Sequence, residues 1–218
     1  MITDLSYLGV LRVEGEGAKK LLQGQLTCDL EEISETTSSL GAHCNPQGRV
    51  ISFFRLFLYR DSYYLEMPRS MIPIARNALN KYAVFFKVTL SDASDTLTRI
   101  GYDENKILSA DEWKHNNIVS NIPTIYPETS EKFLPHELNL PLLNAVSFKK
   151  GCFTGQEIIA RMEYRGKLKT QLTHITLTTS SPPERGADIE RENKEIATVV
   201  DYCQIGYNSY LLLIITKK

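Results

Sequence analysis

The stretch Val50 to Tyr59 (VISFFRLFLY) constrains this chain more than any other segment. It is dominated by aromatic and β-branched side chains and carries a single charge, which reads as a long strand. The preceding Asn45-Pro46-Gln47-Gly48 is a β-turn by chemistry: proline presets φ at the second position and glycine tolerates the last. Leu40 to Cys44 runs into that turn, and Asp61-Ser62 sends the long strand back into Tyr63 to Met67. Met71, Ile74, Ala75, Ala78, Leu79 and Tyr82 then recur at spacings of three and four, which predicts a helix with one apolar stripe. Pro68 and Pro73 suit the start of that helix.

Around this centre, Leu8 to Val13 reads as a strand closed by Glu14-Gly15. Ala18 to Gln23 has helical composition, with Gly24 as its end. Phe85 to Leu90 and Leu97 to Tyr102 are strand-like, so the order β-β-α-β-β predicts an α+β, ferredoxin-like layer with a helix on a mostly antiparallel sheet. From Asp103 to Leu140 the chain is polar and interrupted by Pro123, Pro127 and Pro135, as in a surface wrap. Gln156 to Tyr164 reads as a short helix ended by Arg165-Gly166. Leu172 to Thr178, Ile196 to Asp201 and Tyr210 to Ile215 form a small barrel-like or sandwich tail. The division expected is a module over residues 1–166 and a short C-terminal β subdomain over 167–218.

Composition excludes several classes. Lys+Arg 25 against Asp+Glu 26 leaves a net charge of -1, so neither a polybasic nucleic-acid arm nor an acidic tail is present. Direct nucleic-acid binding is not expected. Cysteines 28, 44, 152 and 203 contain no C-x-x-C pair, and His43, His115, His136 and His174 contain no H-x-x-x-H, so no metal site is written here. The opening Met1-Ile2-Thr3-Asp4-Leu5-Ser6 lacks a basic and an apolar leader region. The late apolar run Leu211 to Ile215 is far below the ~18 residues of a membrane span. A cytoplasmic protein with free thiols and no membrane partner is expected.

One segment is chemically unusual: Lys149-Lys150-Gly151-Cys152-Phe153-Thr154-Gly155-Gln156-Glu157. A cysteine stands between two glycines, after two lysines and just before a helix start, a setting that favours thiolate. Glu157 and Arg161, four residues apart, share a helix face. On local chemistry alone a second reading is open. Cys152 would then be a small buried hydrophobe and Glu157–Arg161 a solvated ion pair.

The run Lys150 to Glu157 also resembles the K-G-C-[YF]-x-G-Q-E signature of the YgfZ family, folate-binding relatives of the glycine-cleavage aminomethyltransferase (T-protein). Leu21-Leu22-Gln23-Gly24-Gln25-Leu26-Thr27-Cys28-Asp29 is similar to that family's F-L-Q-G-Q-x-T-x-D, although Glu16-Gly17-Ala18 replaces its upstream D-A. Pro46-Gln47-Gly48-Arg49 resembles its P-x-G-R turn, and Pro135-His136-Glu137-Leu138-Asn139 its P-x-E-x-N.

The resemblance implies a ring of subdomains around a tetrahydrofolate site. It also implies an accessory role in maturation or repair of iron–sulfur proteins, tRNA-modifying enzymes among them, with those proteins or their assembly machinery as partners. Cys152 becomes the candidate functional thiol. Glu157 is placed to accept from pterin N–H groups, and Arg49 or Arg161 to meet the acidic tail. Tyr164 or Phe53 would stack on the pterin, and Lys150 and Gln156 join the cofactor-binding set as members of the signature. The family's stacking tryptophans have no counterpart, since Trp113 lies in the polar stretch. In the transferase a pair of acids follows the turn in a G-G-x-x-D-D run. Ser52 and Phe53 hold the matching positions here, so aminomethyl transfer is the less favoured reading, with a ligand-free adaptor as a third.

Overall fold

The computed structural model describes residues 5–96, 101–103, 106–191 and 194–218. The chain divides into two compact units, one formed by residues 7–97 and 125–167, the other by 1–6, 98–124 and 168–218.

The first unit is built on β1 (Leu8–Glu14), β2 (Ser39–Cys44), β3 (Val50–Tyr59), β4 (Ser62–Pro68) and β5 (Thr89–Asp92), in the order β2-β3-β4-β1-β5. Every neighbouring pair is antiparallel. The long apolar run is β3, and the register pairs Tyr59 with Ser62 across a two-residue turn. Arg60 and Asp61 both take positive φ, 46° and 57°, the turn geometry that follows the twist of the flanking strands.

Two helices cover this sheet. α1 (Ala18–Gln25) buries Ala18, Leu21, Leu22 and Gln25, one stripe at helical spacing. It passes through Gly24, expected to end it, and stops at Leu26, whose N–H still donates to the Leu22 carbonyl. α2 (Ile72–Ala83) buries Ile72, Ala75, Leu79 and Ala83. The stripe is turned slightly from the one expected, leaving Ile74, Ala78 and Tyr82 half-buried on its flank. A second difference follows α2: Phe85 is 79% exposed, and the chain turns through 84–87 before β5 begins at Thr89. Of the strand expected over Leu97 to Tyr102, residues 97–100 lie outside the described residues.

The second unit contains β6 (Gly101–Asp103), β7 (Lys106–Leu108), α3 (Ala110–Val119) and, after α4 (Gln156–Arg165) of the first unit, β8 (Thr170–Thr178), β9 (Asp188–Glu190), β10 (Ile196–Gly206) and β11 (Ser209–Lys217). The last four form an antiparallel sheet in the order β8-β11-β10-β9. One face packs Ala197, Val199, Tyr210, Leu212 and Ile214 against Ile175, Leu177 and Ile189. α3, which carries Trp113, replaces part of the expected surface wrap. Its start is written as a capping box: the Ser109 hydroxyl accepts from the Glu112 N–H, and the Glu112 carboxylate accepts from the Ser109 N–H.

A register shift in β10 between Val199 and Asp201 places an acid inside this unit. Burial pushes the Asp201 carboxyl up, against the pull of Arg185. The Arg185 Nε donates to Asp201 at 2.9 Å, and the guanidinium lies 4.3 Å from the Tyr202 ring centroid. Removing Arg185 leaves a buried carboxylate without its cation. Arg185→Ala is therefore expected to lower unfolding free energy by about 3–5 kcal/mol in a urea titration at neutral pH. Much of that loss should be recovered as pH falls and Asp201 takes up its proton.

Candidate functional site

The motifs that stood apart in the sequence meet in the first unit, and a lysine joins two of them. Lys150 is 8% exposed. Its ammonium donates to the carbonyl oxygens of Leu26 at 2.8 Å and Cys28 at 2.7 Å, and stands 5.3 Å from the Phe153 ring centroid. Further bonds run alongside. The Thr154 N–H donates to the Gly24 carbonyl at 3.1 Å and the Thr154 hydroxyl to Gln25 Oε1 at 3.0 Å. The Ser147 N–H donates to the Thr27 carbonyl, and the Thr27 hydroxyl donates to Ala145 while accepting from the Ala42 N–H. The segment Gly24–Cys28 thus clasps the segment Ala145–Thr154.

The Asn45–Gly48 turn forms as its chemistry predicts. The Gly48 N–H donates to the Asn45 carbonyl, and Asn45 Oδ1 accepts from the Arg49 N–H. Gly155, with φ 83°, leads into α4 hard against this turn: a Cβ there would stand 2.6 Å from the Asn45 carbonyl oxygen and 3.0 Å from Gly48 Cα. Two glycines in contact let the turn and the start of α4 touch, and a side chain on Gly155 would separate them. The Pro135–Asn139 segment arrives from another side, its His136 Nε2 lying 3.0 Å from Glu163 of α4.

The candidate residues fall into two groups. Cys152 is exposed at the loop before α4, so the reading of it as a buried hydrophobe does not hold. Glu157, Arg161 and Tyr164 share one face of α4 at i, i+4 and i+7. Glu157 and Arg161 pair at 3.0 Å with side chains 83% and 64% exposed, which is the solvated ion pair of the alternative reading. Tyr164 is exposed and meets Phe148 edge to face, with centroids 6.0 Å apart. Gln156 is half-buried at the first turn of α4.

The remaining residues are tied into the scaffold. Lys150 spends its ammonium on backbone carbonyls, and Arg49, though exposed, donates to the Lys132 carbonyl. Phe53 is buried in the sheet. Ser52 is buried too, its hydroxyl without a partner among the described residues. Sequence reasoning did not assign Thr27 or Thr154 any part in this assembly, although both lie within the matched motifs. Among the described residues no group of His, Cys, Asp or Glu could hold a metal ion, and no helix is long and apolar enough to cross a membrane.

No family model matches the chain. It is 31% identical to the tRNA-modifying protein YgfZ of Enterobacter sp. (strain 638), over 87% of this chain and 76% of that protein. It is 30% identical to an uncharacterized protein of Haemophilus influenzae, over 87% of this chain and 78% of that one. Among solved structures, the glycine cleavage system aminomethyltransferase T of Bartonella henselae superposes with a TM-score of 0.68, covering 99% of this chain and 78% of its own, at 13% identity. At that identity the likeness shows a shared fold.

Burial lowers the Lys150 ammonium from its ordinary value of 10.5 to about 8. The unfolded chain keeps this proton at higher pH than the folded one, so the lysine's contribution to stability rises between pH 8 and 10.5. A neutral amine still carries two N–H groups, one for each carbonyl. Lys150→Met is expected to cost about 1–3 kcal/mol at pH 7, because two buried acceptors lose their donor. The gap between wild type and variant should widen from pH 8 to 10.5 in denaturant titrations; a gap constant with pH would show that Lys150 is not held as described.

Proposed function

Because the chain belongs to the YgfZ family, we propose that it is a tetrahydrofolate-binding accessory protein that supports maturation or repair of iron–sulfur proteins, tRNA-modifying enzymes among them. The observation that carries this reading is that the 24–28 and 45–49 segments meet the 150–157 loop at the start of α4, while the 135–139 segment reaches Glu163 near its other end. Each matches a family motif, and together they hold Cys152 and the exposed face of α4 in a fixed relation.

The groups on that face suit a folate. Its pterin offers neighbouring N–H groups that the Glu157 carboxylate accepts as a pair. Its glutamate tail is anionic and matches the Arg161 fork. The Tyr164 ring, backed edge-on by Phe148, offers a stacking surface. The Glu157–Arg161 pair is exposed, so opening it toward a ligand costs little. Lys150 and Thr154 shape the loop, and Gln156 leads the helix toward the ligand. Arg49 braces the turn. Tetrahydrofolate, when bound, supplies a one-carbon carrier. The aminomethyl-transfer reading lacks support at the two positions after the turn, where a buried hydroxyl and a buried ring stand at Ser52 and Phe53.

Calorimetric titration with tetrahydrofolate should show saturable binding that Glu157→Gln weakens by about tenfold, the loss expected for one charge-assisted contact. Absence of binding would remove the ligand from this reading. Cys152→Ser is expected to leave folate binding intact while lowering the activity of an iron–sulfur tRNA-modifying enzyme in cells that depend on this protein. Unchanged enzyme activity would take the thiol out of the mechanism.

A further inference from the structure

A second concave site lies in the first unit, between the β2–β3 turn, residue 131 and the flank of α2. Its cavity volume is about 220 Å³. That is below the ~300–1,000 Å³ of drug-sized sites, so its occupant is small. Ile51, Pro46 and Ala78 give apolar wall, and His43, Lys81 and Glu131 bring the polar groups.

The polar groups are left open in a way the fold does not explain. His43 is 1% exposed, and among the described residues its Nδ1 has no hydrogen-bond partner. Burial, with help from the Lys81 charge, lowers this imidazole to about 4, so it is neutral at physiological pH and offers one uncharged contact. Glu131 is held in place from three directions. Its backbone is left-handed at φ 62°, its N–H donates to the Val50 carbonyl at 2.8 Å, and Oε2 accepts from Asn45 Nδ2 at 2.7 Å. Among the described residues Oε1 has no partner, and the Lys81 ammonium makes no ion pair. The left-handed backbone that fixes Glu131 is costly to maintain for packing alone, and it sets a carboxylate and an ammonium around one hollow.

We propose that this cleft binds a small zwitterion of the α-amino acid class, its carboxylate toward Lys81, its ammonium toward Glu131, and His43 supplying the neutral contact. A singly charged ligand meets one attractive and one repulsive group here, whereas a zwitterion satisfies both. The site borders the 45–49 turn but includes no residue of α4.

The test is an NMR titration of the full chain with L-alanine, propionate and L-alaninamide, which carry both charges, only the anion and only the cation. The expected result is a saturable shift of the His43 ring with L-alanine, with the two half-ligands weaker by about tenfold or more. Lys81→Met and Glu131→Gln alter exposed side chains and should each weaken the alanine response to the same degree. Glu157→Gln should leave it unchanged. Equal responses to all three compounds, a response indifferent to both cleft substitutions, or no saturable shift up to about 100 mM alanine, well beyond millimolar affinity, would overturn the proposal.

Discussion

One buried ammonium organises the first unit's functional end. Lys150 reaches two backbone carbonyls that belong to a segment more than a hundred residues earlier. Such a contact has no apolar substitute, because a buried carbonyl without a donor is itself destabilising. The loop carrying Cys152 is therefore fixed from below, with its lysine turned inward and its thiol outward. This orientation explains why a lysine is required beside a glycine and a cysteine that are both exposed. It acts by holding the loop, and its ammonium takes no part in the outward surface.

The second constraint is steric. Gly155 and Gly48 meet where any side chain on Gly155 would collide with the turn, so α4 can begin only at this distance from the β2–β3 connection. Starting there, α4 turns Ile159 into the core and leaves Glu157, Arg161 and Tyr164 outward. The helix face and the thiol are thus positioned by two contacts, one electrostatic and one of close approach. Neither uses the outward-facing groups themselves. A surface organised in this way remains open to a ligand or a partner protein.

Much of this was legible in the sequence because local signals agreed with the final packing. The aromatic and β-branched run became β3, the Asn45–Gly48 turn closed as its residues dictate, and α4 began after Gly155. The misses have physical reasons. Gly24 does not end α1, because the helix continues to place Gln25 where its amide meets Thr154. Phe85 and Phe86 have strand-like composition, but the end of α2 and positive φ at Lys87 turn the chain there instead. α3 was hidden by weak amphipathicity, although Ser109 and Glu112 spelled its cap. The partner of Lys150 could not be read at all, since two carbonyls have no side-chain signature and the separation is long. Of the candidate ligand contacts, sequence spacing gave the shared face of Glu157 and Arg161, and one of its two readings their solvated pairing, but not the aromatic backing that Phe148 gives to Tyr164.

The loop before α4, the 45–49 turn and the outward face of α4 together form the proposed folate-receiving surface. Amide hydrogen exchange on the full chain, with and without saturating tetrahydrofolate, tests this most directly. Folate bound on that surface is expected to slow exchange in residues 150–165 together with the 45–49 turn. Bound folate with exchange in residues 150–165 left unaltered would contradict it.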